Sequence, residues 1–341
     1  MKVCVVGATG YSGQELVRLL AGHPLVDLVA VTSRTYAGKP VAERLPALRG
    51  VMGDMTFSSS SPEAVAELEA EVFFLALPHG AAAAYAVRLV EAGKRVIDLS
   101  ADFRLGSPEL YQQYYGQEHP APDLLRQAVY GLPELKDLSW SQGPLIASPG
   151  CYPTSILLPL FPLLEADLVE PEGIVANSMS GVSGAGRQSA ERFSYCERNE
   201  SAVAYGLPQH RHLSEIEEQL ALAAGSEVVI SFHPHLAPMN RGIASTISVV
   251  AKGKPDAGAV EECWSRRYEG RPFAHSLPSG EFPDVAHVVG SNRVEFSVTA
   301  DHRTGRYVLT SAEDNLIKGA GGQAIQSMNL CSGFDESAGL V

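Results

Sequence analysis

The sequence predicts an α/β protein in two parts: a Rossmann-type parallel-sheet domain, then an α+β domain with a mixed or antiparallel sheet. Three observations carry this. A short β-type run enters a glycine triplet and then a helical segment, strand and helix patterns alternate to about residue 149, and strand-like runs dominate afterwards until a last helical segment. At ~150 residues per domain, 341 residues make roughly two domains.

Val3 to Val6 reads as the first strand, and Gln14 to Ala21, with apolar Leu16, Val17, Leu19 and Leu20, as a helix. Leu28 to Val31 is the next strand, Ala64 to Leu68 a helix and Val72 to Leu77 a buried strand. Ala81 to Glu91 is a helix and Arg95 to Leu99 a further strand, with Ser58 to Ser61 as a loop. Such alternation implies right-handed crossovers and a parallel sheet covered on both faces. Beyond it, Ile174 to Met179, Glu227 to Phe232, Ala244 to Val250, Arg293 to Thr299 and Arg306 to Ser311 read as strands. Asp314 to Asn329 carries Leu316, Ile317, Ala320, Ala324, Ile325 and Met328 at helical spacing, a C-terminal helix returning to the first domain. The expected domains are 1–149 for a nucleotide, 150–312 for substrate and oligomerisation, 313–330 completing the first, and 331–341 as a loose tail.

Hydrophobic residues at 45% and charged residues at 19% exclude wholesale disorder. The 26 basic and 39 acidic residues leave a net charge of −13, a field that repels nucleic acid and anionic lipid. A small anionic substrate remains compatible, because a few arginines reverse that field within one cleft. The apolar runs fall far short of the ~20 residues that span a membrane, and the first is too short for a signal peptide. Five cysteines, odd in number and never spaced C-x-x-C, argue against a disulfide framework and a zinc site. The expected compartment is the reducing cytoplasm.

Gly7-Ala-Thr-Gly10-Tyr-Ser-Gly13 follows the first strand and opens a helix, the setting in which glycines admit a pyrophosphate to free N–H groups. The second strand ends in Thr32-Ser33-Arg34, with Lys39 beyond, where an NAD site would carry an acidic residue. Ser33 and Arg34 suit a 2′-phosphate, hence NADP(H); the alternative for Arg34 is a solvated surface residue.

In Ser148-Pro149-Gly150-Cys151-Tyr152-Pro153-Thr154 a cysteine stands at a helix start, where backbone N–H groups stabilise a thiolate. Cys151 is either that nucleophile or a buried small hydrophobe. Cys4, Cys196, Cys263 and Cys331 lack such a turn and read as structural. His210-Arg211-His212-Leu213-Ser214-Glu215-Ile216-Glu217 places two histidines before a helix that Ser214 and Glu217 cap as a box. A neutral imidazole there serves as an acid/base, or else the pair only lines a loop. Ser180 to Arg187 is a glycine loop ending in an arginine; Asp102-Phe103-Arg104 and Met239-Asn240-Arg241-Gly242 set arginines at strand ends, for anions or for surface ion pairs. No set of side chains has metal-ligand spacing.

Together these motifs resemble the N-acetyl-gamma-glutamyl-phosphate reductase family, within the semialdehyde dehydrogenase superfamily, from Gly7 to about Asn329. Ile146 to Thr154 resembles its cysteine signature, with Ser155 where glycine or alanine is usual. Leu77-Pro-His-Gly80, Asp98 to Arg104, Ser180 to Arg187, His210 to His212, Pro238 to Gly242 and Asp314 to Gly319 match further. The resemblance implies NADPH-dependent reductive dephosphorylation of an acyl phosphate in arginine biosynthesis, with inorganic phosphate as product. It implies Cys151 as nucleophile and His212, nearer the helix start than His210, as acid/base. Arg104, Ser180, Arg187, His210, Glu215 and Arg241 are the implied substrate contacts. The implied cofactor contacts are Gly7, Thr9, Gly10, Tyr11, Ser12, Gly13, Ser33, Arg34, Pro78, Ser183, Gly184 and Asn315. A homodimer or homotetramer is expected. Relatives acting on aspartyl phosphate or on carrier-bound aminoadipyl or glutamyl phosphate form the alternative, and a non-catalytic NADP sensor is another class. A short-chain dehydrogenase is disfavoured because none of the twelve tyrosines has lysine four positions later, and no glycine run ends as a P-loop does.

Overall fold

Val3 to Val6 are wholly interior, as a strand flanked by parallel neighbours on both sides must be. They form β1 (Lys2–Val6) of a computed structural model that describes residues 1–135, 141–187 and 189–341. The chain divides into one unit of residues 1–149 with 320–341 and another of residues 150–319.

In the first unit β1 is followed by α1 (Tyr11–Ala21), β2 (Asp27–Val31), α2 (Val41–Arg44), α3 (Pro62–Ala66), β3 (Val72–Leu75), α4 (Ala82–Glu91) and β4 (Arg95–Asp98). Then come α5 (Pro108–Tyr115), α6 (Pro122–Leu125), β5 (Val129–Tyr130) and β6 (Leu145–Ala147). The six strands pair in parallel in the order β2-β1-β3-β4-β6-β5. Because β2 and β3 lie on opposite sides of β1, the connections part at the carboxyl ends of β1 and β3, where open α/β sheets take their ligands. Cys4, Val6, Phe73, Leu75, Ala82, Ala86 and Leu89 fill the core beneath.

The second unit begins with α7 (Cys151–Glu165) and β7 (Ile174–Ser180), followed by α8 (Tyr195–Arg198), β8 (Val203–Ala204), α9 (His212–Ala224), β9 (Ile230–Leu236), β10 (Ile243–Val250) and α10 (Ala257–Arg267). After β11 (Ala274–Ser276), α11 (Val285–Val288), β12 (Val294–Asp301) and β13 (Arg306–Glu313) the chain returns to the first unit and ends with α12 (Gly322–Cys331). The mixed sheet runs β11-β12-β13-β10-β7-β9-β8. The expected strand at Glu227 to Phe232 lies further on, since Ile230, Phe232, Pro234 and Leu236 form the inward face of β9. Alternate residues on the other face, including Asn177, Met179, Ser231 and Thr246, are exposed.

Helix α7 runs through Pro159 and Pro162, whose rings remove the N–H groups that would bond the carbonyls of Ser155 and Leu158. The fold repairs both: Ser311 Oγ donates to the Ser155 carbonyl at 2.7 Å and the Tyr268 hydroxyl donates to that of Leu158. Residues 152–164 are thereby buried without an orphaned acceptor at either proline.

Two expectations are corrected. Residues 314–329 are not one helix: the Asp314 carboxylate caps the Leu316 and Ile317 N–H groups, a π turn spans Ile317–Gly321, and α12 follows. The tail is not loose either. Asn329 donates to the carbonyls of Glu336 and Ala338 and accepts from His23 Nε2 at 3.0 Å, and Leu340 is buried. Among the described residues no helix is long and apolar enough to cross a membrane, and no cluster could hold a metal.

Candidate active site

In the first unit the three glycines of the turn differ in what demands them. Gly7 has φ +88°, and a Cβ on it would stand 2.4 Å from the Ala76 carbonyl oxygen. A Cβ on Gly13 would stand 2.3 Å from the Gly7 carbonyl oxygen, so the third glycine lets α1 pack against the turn. Beyond its chain neighbours, a Cβ on Gly10 would meet only the Gly7 carbonyl oxygen, at 3.8 Å, so the chain leaves the space on that side open. Gly10 also caps α1 with no side-chain hydrogen bond, so the helix N-terminus, between Thr9 and Ser12, is directed at that space. Tyr11 is exposed and Pro78 stands exposed on the neighbouring loop. This is the arrangement a dinucleotide pyrophosphate fits.

At the end of β2, Ser33 is buried and its Oγ accepts the Tyr36 N–H at 3.2 Å, while Arg34 is exposed. The Arg44 guanidinium and the Lys39 ammonium lie 5.3 and 5.7 Å from the ring centre of Tyr36, whose N–H Ser33 holds. Arg104 is buried in this unit: Nε donates to the Ser148 carbonyl and Nη2 to that of Leu99, both at 2.8 Å. It fastens the strand ends ahead of Pro149.

In the second unit Cys151 is the first residue of α7, half-buried, at a helix end that Gly150 closes without a side-chain cap. The helix dipole and N–H groups therefore act on its sulfur. Gly150 N–H donates to Glu215 Oε1 at 2.8 Å, so Glu215, almost wholly buried, holds the turn before the cysteine. A Cβ on Gly319 would stand 2.6 Å from Cys151 Cβ and 2.8 Å from Glu313 Oε1, so this glycine is what lets the π turn close on Cys151. The other cysteines fit structural roles where burial acts on them: it pushes the Cys4 thiol up to about 12 and that of Cys331 up to about 11.

The histidine pair lies against Tyr152, the residue after Cys151, with ring centres 5.5 Å (His210) and 5.9 Å (His212) from it and 5.0 Å from each other. Phe232 and Tyr205 close on His210, and the Tyr205 hydroxyl donates to that of Tyr152 at 2.9 Å. Burial, then the Arg211 charge, lowers His210 to about 4, and its Nδ1 accepts the His212 N–H at 3.1 Å. His210 is thus neutral with a fixed tautomer, and it braces His212 at the first position of α9. The expected capping box does not form: α9 begins at His212, Ser214 Oγ donates back to the Arg211 carbonyl, and Glu217 accepts the Ile230 N–H.

The remaining segments knit together within this unit. Asn315 Oδ1 accepts the Gly242 N–H at 2.7 Å and its Nδ2 donates to Ser183 Oγ at 3.0 Å. Gly184 lies beside them, where a Cβ would stand 2.9 Å from Ser180 Oγ, itself bonded to the Gly181 carbonyl. Arg241 is held through Nε and Nη2 by the buried Asp314 carboxylate, and Arg187 is exposed at the end of the glycine loop. Asp314, Glu313 and Gly319 escaped the sequence reading; only the Asp314 to Gly319 motif pointed toward them.

Comparison with known proteins fits both units. The model of the semialdehyde dehydrogenase NAD binding domain matches residues 2–141 and that of the semialdehyde dehydrogenase dimerisation domain residues 151–315. The N-acetyl-gamma-glutamyl-phosphate reductase of Akkermansia muciniphila is 53% identical over 100% of this chain and 98% of its own, and that of Geotalea daltonii 48% identical over the same shares. Among solved structures, aspartate semialdehyde dehydrogenase II of Vibrio cholerae has the same fold with a TM-score of 0.72 at 18% identity, over 97% of this chain and 98% of that one. The NADP complex of the Candida albicans aspartate semialdehyde dehydrogenase gives 0.69 at 20% identity, over 97% and 98%. With identity of this extent over its whole length, the chain belongs to the N-acetyl-gamma-glutamyl-phosphate reductases of the semialdehyde dehydrogenase family.

Proposed function

We propose that the protein reduces N-acetyl-gamma-glutamyl phosphate to N-acetylglutamate semialdehyde with NADPH, releasing inorganic phosphate, as the reductive step of arginine biosynthesis. The observation that carries this is Cys151 at the start of α7, with a histidine pair against the ring of the next residue, Tyr152, and one member of that pair held neutral. His212 takes the proton from Cys151 Sγ, and the thiolate attacks the acyl carbon. The carbon–oxygen bond to phosphate breaks, phosphate leaves and a thioester remains on Cys151. NADPH supplies the hydride that reduces this thioester. Collapse of the resulting thiohemiacetal breaks the carbon–sulfur bond, gives the aldehyde and returns the thiolate, which His212 reprotonates.

NADP(H) rather than NAD(H) is our reading of the β2 end, where Ser33 and Arg34 replace the ribose-binding acid. Arg187 and Arg241 are assigned to the anionic groups of the substrate, Arg241 with its guanidinium oriented by Asp314. Arg104 is assigned instead to its two carbonyls, and Glu215 to the Gly150 N–H. Asn315, Ser183 and Gly184 are assigned to the nicotinamide half of the cofactor, Thr9, Tyr11, Ser12 and Pro78 to the rest. The open face of the seven-stranded sheet supports a homo-oligomer, and the five free thiols a reducing cytoplasm.

Acylation without cofactor tests the reading. One phosphate per protein should appear rapidly from N-acetyl-gamma-glutamyl phosphate and none with Cys151→Ser; preference for aspartyl phosphate or a carrier-bound acyl phosphate would give the chemistry a different substrate.

A further inference from the structure

Two loops part at the switch point of the first unit, the glycine turn after β1 and residues 76–81 after β3. They touch: the Ala76 N–H donates to the Val6 carbonyl at 2.9 Å, and the Ala76 carbonyl is what forbids a Cβ on Gly7. The second loop therefore packs directly on the glycine turn, at Gly7.

What fixes that loop is a single fully buried carboxylate. Asp102 Oδ1 accepts the Gly80 N–H at 2.7 Å, and its Oδ2 accepts those of Ala82 and Ala83 at 3.1 and 3.4 Å. Its own N–H is tied to Ser100 Oγ at 3.0 Å, which donates in turn to Asp98 Oδ2 at 2.7 Å. A second tie runs from the Ala101 N–H to His79 Nδ1 at 3.3 Å. A plain helix cap needs only the first-turn N–H groups of α4, yet the shortest of these bonds goes to Gly80, outside that helix and at φ +77°. The first N–H groups of α4, those of Ala82 and Ala83, are thus engaged by the same carboxylate.

We propose that Asp102 is a positioning residue for the dinucleotide: its carboxylate holds residues 76–81 against the glycine turn, and so sets the width of the cradle that receives the cofactor diphosphate. This rests on the NADP(H) reading above.

The test is the affinity of Asp102→Asn for NADPH, measured by fluorescence, together with both KM values. Replacing one carboxylate oxygen by an NH2 group faces a donor against backbone donors, and about tenfold weaker NADPH binding is expected. The KM for NADPH should rise in step while that for the acyl phosphate moves less than about twofold. Gly80→Ala disturbs the same loop from its other end, through strain at a positive φ, and should weaken NADPH binding likewise. An Asp102→Asn protein that melts earlier but binds NADPH as the wild type does would overturn the proposal, leaving Asp102 a helix cap. Should that variant not fold, unchanged affinity in folded Gly80→Ala would overturn it equally. Failure of the wild type to bind NADPH would strike the cofactor reading itself.

Discussion

Glu215 accepts the Gly150 N–H at 2.8 Å, and it stands three residues after His212 on α9, so the helix that carries the histidine is fastened to the residue before Cys151. Glu215→Gln keeps the oxygen and loses the charge; kcat should fall about tenfold, and about a hundredfold in Glu215→Ala, where the turn is released. NADPH affinity should not move in either, which titration of the purified variants checks.

The two histidines should separate by substitution and by pH. His212→Asn should lower kcat by about 10²–10⁴, and His210→Asn by much less, because His210 acts through its neighbour. Burial holds His210 at about 4 in the folded chain against 6.5 unfolded. Between those values the unfolded chain binds the proton that the folded chain excludes, so this contribution to stability is complete above 6.5 and is lost as pH falls toward 4. Urea unfolding at about pH 7.5 and about pH 5 should show the wild type losing more stability than His210→Asn.

The prolines of α7 make a coupling measurable. Ser311→Ala should cost about 1–3 kcal/mol, since it strips the donor from the Ser155 carbonyl. In a Pro159→Ala background the helix regains its own N–H for that carbonyl, and the same change should cost less by at least about 0.5 kcal/mol. Denaturant titration of the four proteins closes this cycle.

Gly319→Ala sets a methyl group where Cys151 Cβ and Glu313 Oε1 already lie within 3 Å. Displacement of Cys151 should lower kcat/KM by about a hundredfold. The rate of Cys151 alkylation by iodoacetamide reads the same displacement without any substrate.

Local chemistry made much of this legible in the sequence. Gly7, Gly10 and Gly13, and Cys151 behind Pro149-Gly150, carry their signal within a few residues, because a turn and a helix start impose residue types directly. Ser214 and Glu217 had the spacing of a capping box, but the Arg211 carbonyl and the Ile230 N–H claimed them. Arg104 and Arg241 look alike along the chain, and only tertiary contacts distinguish a guanidinium on two carbonyls from one beside Asp314. The tail from residue 331 offered no periodicity, because it is ordered by Asn329 and His23 rather than by a repeat of its own. Asp102 and Gly319 act on residues up to 168 positions away, beyond any local pattern.

The most direct measurement is reduction of NADP by the purified protein with N-acetylglutamate semialdehyde, with and without inorganic phosphate, beside Cys151→Ser. The expected result is NADPH formation that requires phosphate and is absent in the variant. Turnover that ignores phosphate, or that survives loss of the cysteine, would contradict acyl-phosphate chemistry through a thioester on Cys151.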